Sequence, residues 1–159
     1  MNNPITEEHV RAFAAAWFLA LDVHATTEEC VKFLADSELR MIFPEKTLYG
    51  ISDFKAWYEG GPYSDGTRAP GVTNVYFDEA HNLQSVQAQI SADQATVRIV
   101  VGWQASWIEP PAARSKRLSM EFTQQWVVRR SDKNSYGLEI LQYMAIAEPF
   151  KSAPGFAHL

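Results

Sequence analysis

The sequence predicts an α+β domain: a strongly curved, mainly antiparallel β-sheet whose concave side is closed by three N-terminal helices around a pocket. Three observations lead there. Apolar residues recur at helical spacing through the first third of the chain, and at a period of two through almost all the rest. Elements in that order pack helices on one face of a sheet. The strand patterns run for roughly fourteen residues against a usual five or six, and strands of that length twist and curl into a concave wall. The open end of such a cone is a natural binding site.

The first helix is predicted over residues 6–23. Pro4 and Thr6 stand at its start, with Glu7 and Glu8 in the first turn, where negative charge complements the helix dipole. Val10, Phe13, Ala14, Trp17, Phe18 and Leu21 make its apolar stripe. A second, shorter helix starts at Thr26, which forms a capping-box pattern with Glu29, and Val31, Phe33 and Leu34 supply its buried side. Residues 39–43 read as a short strand closed by Pro44. A third helix follows Gly50, with Ile51, Phe54, Trp57 and Tyr58 on one face, and Gly60, Gly61 and Pro62 end it. The Gly/Pro-rich residues 62–71 read as a mobile lip over the pocket.

The period changes to two from Val72. Val97, Ile99, Val101, Trp103, Ala105 and Trp107 form an unbroken apolar set; the alternates Arg98, Val100, Gly102, Gln104, Ser106 and Ile108 are mixed, as expected of a sheet with one face on the core. Leu118, Met120, Phe122, Gln124, Trp126 and Val128 repeat the pattern. Pro110 and Pro111 begin the hairpin connection between these strands, residues 131–135 are turn-like, and residues 137–146 form the last strand. Ile99, Val101, Trp103, Phe122 and Trp126 are therefore expected on the concave side, with Arg98 and Glu121 on the other. Val100, Ile108 and Val127 lie on the outer face as candidates for burial in a second subunit. No repeat or linker divides the chain, so residues 1–159 form one domain.

Composition excludes several function classes. A net charge of −5 without a basic stripe argues against a nucleic-acid partner. Arg114, Lys116 and Arg117 read as a solvated hairpin tip. Apolar content of 47% with 13% aromatic residues excludes disorder. Cys30 is the single cysteine, so no intrachain disulfide forms and a reducing compartment is the default. Neither a leader pattern nor a membrane-spanning apolar run occurs, so a soluble, cytoplasmic protein is expected. The histidines His9, His24, His81 and His158 show no metal-ligand spacing. With no phosphate loop, Cys–His dyad or serine elbow, neither a metal nor a cofactor is expected.

Several short patterns carry a family resemblance. They are Ala20-Leu21-Asp22 closing the first helix, Phe33-Leu34-Ala35-Asp36 before the first strand, Tyr49-Gly50 before the third helix, and His81 opening a strand. The alternating block from Ala95 to Trp103 and the tail from Ile140 to Tyr143 complete the set. On these, over roughly residues 6–148, the chain resembles the NTF2-like superfamily, within its SnoaL-like and ketosteroid-isomerase-like groups. The resemblance implies a homodimer. It also implies a pocket used either for isomerase, dehydratase or cyclase chemistry, or for non-catalytic binding, and fold alone does not choose. In steroid isomerases a tyrosine and a protonated aspartate polarise a carbonyl while a second aspartate moves the proton. The corresponding positions hold Trp17, Gln124 and Phe43, and Phe43 accepts no proton. In scytalone dehydratase an aspartate at the end of the first helix works with strand histidines and tyrosines. Asp22 and His81 match the aspartate and the first histidine. Trp103 and Trp107 stand near where the second histidine is missing, and Phe43 replaces a tyrosine.

Asp22 and His81 are thus the candidate catalytic pair, able to remove a proton beside a carbonyl and return one to a leaving hydroxyl. The alternatives are that Asp22 caps the following turn and that His81 is satisfied by a backbone carbonyl at the core edge. His24 reads as a solvated helix-end histidine. Gln124 is the only polar residue in its inner set, and a buried amide left unpaired costs about 1–3 kcal/mol, so it meets either a ligand or a neighbour such as Tyr143. Trp17, Trp103, Trp107, Trp126 and Tyr143 either line an aromatic cavity or pack the core; together with Gln124 they favour a flat, apolar or aromatic ligand. Two readings result. One is a cofactor-independent lyase, isomerase or cyclase acting on a small aromatic or polyketide-like carbonyl compound. The other is a non-catalytic small-molecule-binding or dimerisation domain. A third, a partner subunit like the dioxygenase small subunit, ranks below both.

Overall fold

A computed structural model describes residues 4–44, 46–108, 111 and 114–145. Helix α1 (Glu7–Asp22) begins where the Thr6 side chain accepts the His9 N–H, and it buries the six apolar residues of its predicted stripe. Helix α2 (Thr27–Cys30) carries the predicted capping box between Thr26 and Glu29, and a single 3-10 turn (Val31–Phe33) follows. Strands β1 (Arg40–Ile42) and β2 (Thr47–Tyr49) form a short hairpin that leads into α3 (Gly50–Glu59). The predicted lip holds a small hairpin of β3 (Gly61–Pro62) and β4 (Arg68–Ala69). Asp53, buried on α3, ties it down by accepting from the Ser64 backbone N–H and hydroxyl, and it also accepts the Tyr49 N–H. The one-turn helix α4 (Val72–Val75) leads into the long strands β5 (Tyr76–Ser91), β6 (Gln94–Trp107) and β7 (Lys116–Arg130), and then β8 (Leu138–Met144).

The six-stranded sheet has the order β2-β1-β8-β7-β6-β5, antiparallel throughout except for the parallel β1–β8 pair. In the β6–β7 register Val97 faces Trp126, Ile99 faces Gln124, and Val101 faces Phe122. All six are buried, whereas Arg98 and Glu121 are exposed, so the concave face is the predicted one. Helix α1 lies against β5. The expected Pro110 turn and the end of the last strand at residue 146 lie outside the described residues, as does His158. No described helix is long and apolar enough to cross a membrane.

One irregularity matters for the site. Between Phe77 and Ala80 the register of β5 slips against β6, with Phe77 opposite Ser106 and Ala80 opposite Gln104. Asp78 and Glu79 together oppose Ala105. Asp78 takes a left-handed φ of 50°, and this two-against-one bulge re-aims Glu79.

Gly71 joins the lip to α4, and its place in the fold admits no side chain. Its φ is +91°, and an added Cβ would stand 2.4 Å from the Gly60 nitrogen and 2.5 Å from the Glu59 carbonyl carbon. Gly66 has a similar φ of +87° with open space around it. Gly66→Ala should therefore cost only the backbone term of about 1–2 kcal/mol. Gly71→Ala should cost clearly more, read as a larger drop in urea midpoint. Equal midpoints would show that the contact relaxes without penalty.

Candidate active site

The end of α1 and the start of β5 meet in a crossed pair of contacts. Asp22 and His24 stand two residues apart where the helix stops. Glu79 and His81 stand two apart on the strand. Asp22 Oδ1 lies 2.5 Å from His81 Nδ1, and Asp22 Oδ2 accepts the His81 backbone N–H at 2.9 Å. His24 Nε2 lies 2.5 Å from Glu79 Oε2, and the Trp103 indole N–H donates to Glu79 Oε1 at 3.1 Å. These side chains are mostly withdrawn from water: 4% exposed for Glu79, 8% for His81, 17% for Asp22 and 27% for His24.

Chain geometry explains the crossing. α1 stops at Asp22, and His24 turns back with a left-handed φ of 50°. The bulge brings Glu79 to the inner face ahead of His81. Phe18 stacks on the His81 ring at 4.8 Å, with Trp103 nearly parallel at 6.3 Å, so the imidazole is held as well as hydrogen-bonded. The Glu79 hydrogen bond raises the His24 pKa above its ordinary value; burial opposes this and the Glu79 and Asp22 charges add to it.

Glu79 and His81 open onto a cavity of about 40 Å³ also lined by Phe43, Trp57, Tyr76, Trp103, Phe122, Gln124 and Tyr143, with Leu21 and Val72. Gln124 Oε1 accepts the Trp126 indole N–H at 3.0 Å, which leaves the amide N–H₂ end for the Tyr143 side or a ligand. Burial pushes the Tyr143 hydroxyl up to about 12, while Trp17 and Gln124 beside it act in the opposite sense. The Trp57 indole N–H is a buried donor without a partner among the described residues. The Trp57 ring is one wall of the cavity, stacked on Phe43 at 5.0 Å. A larger hollow of about 600 Å³ lies on the outer face of the sheet near Arg40, Tyr49 and Gln142, but it holds none of the carboxylate–imidazole pairs.

The structure thus brings Asp22 and His81 together and places His81, Trp103, Gln124 and Tyr143 on the cavity wall. Trp17 and Trp126 are fully buried behind that wall: Trp126 stacks on Tyr143 at 5.3 Å, and Trp17 meets it edge-on at 6.1 Å. His24 is not a solvated helix end, because Glu79 reaches it from 55 residues away. Glu79, Trp57 and Tyr76 were not anticipated as lining residues. For Glu79 a signal existed, since Glu79-Ala80-His81 is the alternation that puts both polar side chains on one strand face. Among the described residues no cluster of His, Cys, Asp or Glu has the makings of a metal site.

Comparison with known proteins bears on the fold. No protein-family model matches the chain, and no curated protein matches it in sequence. Solved structures do. An NTF2-like superfamily protein from Salmonella enterica superposes with a TM-score of 0.66 at 12% identity, over 94% of this chain and 95% of that one. A ketosteroid isomerase-like protein from Erwinia carotovora gives 0.60 at 18% identity, over 87% and 93%. A candidate scytalone dehydratase from Novosphingobium aromaticivorans gives 0.64 at 14% identity, over 87% and 80%. With the sheet order and the helices that close it, these superpositions show that the chain has the NTF2-like, cystatin-like fold.

Proposed function

We propose that the cavity carries out cofactor-independent proton transfer on a small aromatic or polyketide-like carbonyl compound, as a lyase, isomerase or cyclase, with His81 as the base and Asp22 behind it. The carrying observation is the two-point grip of Asp22 on His81. It directs Nδ1 to the carboxylate and leaves Nε2 as the nitrogen for chemistry, while both Asp22 oxygens are already engaged. Asp22 orients the ring and stabilises the imidazolium that forms when Nε2 takes a proton. The Trp57 N–H, the Gln124 amide and the Tyr143 hydroxyl are the donors available to an enolate oxygen. The isomerase-like and dehydratase-like fold neighbours agree with this chemistry.

One observation favours the second reading, a non-catalytic binding or dimerisation domain. The cavity of about 40 Å³ holds roughly one water molecule, whose share of the liquid is about 30 Å³, so a ring enters only if aromatic walls turn aside. Deuterium exchange separates the two. The probe is benzylacetone in heavy water, its α-protons followed by NMR. The proton-transfer reading expects exchange above the buffer rate with wild-type protein and loss of that excess with His81→Ala. Wild-type exchange at the buffer rate leaves the binding reading, and mass spectrometry of whatever co-purifies with the protein then identifies the occupant.

A homodimer through the outer sheet face is part of the same proposal. Val100, Val127 and Leu141 are only partly buried there, and Ile108 is half-exposed. An isologous contact should bury at least about 1,000 Å² in total. Light scattering at micromolar concentration should give twice the chain mass, and Val127→Arg should halve it. A monomeric wild-type protein would remove the proposal.

A further inference from the structure

A cavity of about 40 Å³ holds roughly one water molecule, so a larger occupant needs a wall that moves. Most of the lining is fixed. Tyr76, His81, Trp103, Phe122, Gln124 and Tyr143 stand on paired strands of the sheet. Phe43, Trp57 and Val72 stand outside it, and the lip joins the last two. This lip is a rigid flap on a narrow neck. Its tip is bonded within itself: Gly61 pairs with Ala69 and Pro62 with Arg68, the Tyr63 N–H donates to the Thr67 carbonyl, and Asp65 Oδ1 accepts from the Thr67 N–H and hydroxyl. The neck is Gly60 and Gly71, both at left-handed φ and so close that a Cβ on Gly71 would stand 2.4 Å from the Gly60 nitrogen. Asn74 pins the neck by donating to the Glu59 and Pro70 carbonyls. Glycines at both ends let the backbone turn there without side-chain hindrance, as a hinge requires.

Two ties hold the tip down. Asp53, one helical turn before Trp57, accepts the Ser64 N–H at 2.6 Å and the Ser64 hydroxyl at 2.8 Å. The Lys46 ammonium lies 3.8 Å from the centre of the Tyr63 ring. Lys46 belongs to the Phe43 wall, because its carbonyl accepts the Phe43 N–H. The lip therefore reaches from Trp57 and Val72 on one side of the cavity to Phe43 on the other. Both ties also withdraw charge from water. Asp53 is 2% exposed, and burial holds the Lys46 ammonium below its ordinary pKa, against the Asp65 and Asp53 charges. Lifting the tip returns both groups to water, so the closed position is favoured by a small margin. We propose that residues 61–70 are the gate of the cavity: they swing as one body about Gly60 and Gly71, and the Ser64–Asp53 and Tyr63–Lys46 contacts form the latch that ligand entry breaks. This rests on the reading of the cavity as the ligand site, and not on any proton moving there.

The Trp57 indole N–H gives a readout that needs no ligand. It lies on the cavity wall without a partner among the described residues, so burial alone protects it from exchange with heavy water. On the full chain, its exchange is followed by NMR in wild type, Lys46→Met, Ser64→Ala and the double variant. Each single change should speed exchange by about threefold to tenfold, and the double variant by about the product. Backbone N–H groups of β6 should keep their rates, the mark of local opening rather than unfolding. An unchanged Trp57 rate in the double variant overturns the gate, and so does a rise that β6 shares. The second measurement is binding of benzylacetone, followed by tryptophan fluorescence in stopped flow. The latch closes over the empty and the filled cavity alike. The double variant should therefore raise association and dissociation rates by one common factor and leave Kd within about twofold of wild type. Faster Trp57 exchange with wild-type binding rates would show that ligands enter elsewhere, which overturns the gate. Benzylacetone that binds neither protein counts against the ligand-site reading alone, and the gate then stands or falls on the Trp57 exchange.

Discussion

Trp126→Ala should lower the stability of the fold by about 3–5 kcal/mol, the range for a large aromatic side chain removed from a core. Trp126 is fully buried at the centre of the concave face, opposite Val97 on β6 and Tyr143 on β8. Its ring meets Phe13 edge-on at 6.4 Å, Phe18 at 5.7 Å and Tyr143 at 5.3 Å. It is thus the point where α1 and two strands share one side chain. Removal takes away this packing and strands the Gln124 oxygen, which Trp126 alone satisfies among the described residues. An unpaired buried acceptor accounts for about 1–3 kcal/mol of that loss, which places it towards the upper end of the range. Trp126→Phe isolates the two effects, because it keeps most of the ring and loses the donor. Urea denaturation with an unchanged slope should then place Trp126→Phe between wild type and Trp126→Ala. An alanine variant within about 1 kcal/mol of wild type would mean that the cone collapses around the gap, contrary to the close packing expected of a core.

The same residues show what could be read from the chain and what could not. The inner set from Val97 to Trp107 was legible because β6 and β7 pair in register from end to end, so a period of two maps directly onto one face. The stripe of α1 was legible for the matching reason at helical spacing. β5 was harder. Its two register slips, after Phe77 and after Leu83, break the alternation, and of its residues beyond Tyr76 only Val86 is fully buried. Periodicity alone therefore carries little information there, and Glu79 was missed although its neighbour His81 was not. His24 was misread because it lies in a left-handed turn past the helix end, and its partner arrives from a strand 55 residues later. Trp17 and Trp126 were correctly placed on inner faces. A sequence pattern distinguishes inside from outside, however, and not the cavity wall from the layer behind it. That distinction depends on side-chain packing across several elements at once.

His81→Ala should remove most of the proton-transfer rate, by about 10²–10⁴-fold, the usual contribution of a positioned base. Asp22→Asn is the more informative change. Asp22 accepts two hydrogen bonds from one residue, the ring Nδ1–H and the backbone N–H of His81. An asparagine offers one acceptor and one donor in the same space, so either the backbone donor loses its partner or the ring turns its tautomer to meet the amide. In the second case Nδ1 becomes the acceptor and Nε2 carries the hydrogen, so the nitrogen that Asp22 leaves for chemistry is no longer a base. Asp22→Asn should therefore lose activity on the same scale as His81→Ala while its side chain touches no substrate. Because the grip acts on the developing imidazolium rather than on the bound ketone, the loss should fall on kcat with KM nearly constant. Stability should drop by about 1–3 kcal/mol, the cost of weakening a charge-assisted hydrogen bond, so assays belong well below Tm. NMR of the His81 ring nitrogens gives the decisive reading, because the tautomer is visible without any substrate. A ring that keeps its tautomer in Asp22→Asn, together with an exchange rate like that of wild type, would show that the carboxylate merely closes the end of α1. The cavity would then be an aromatic binding pocket in which no proton moves.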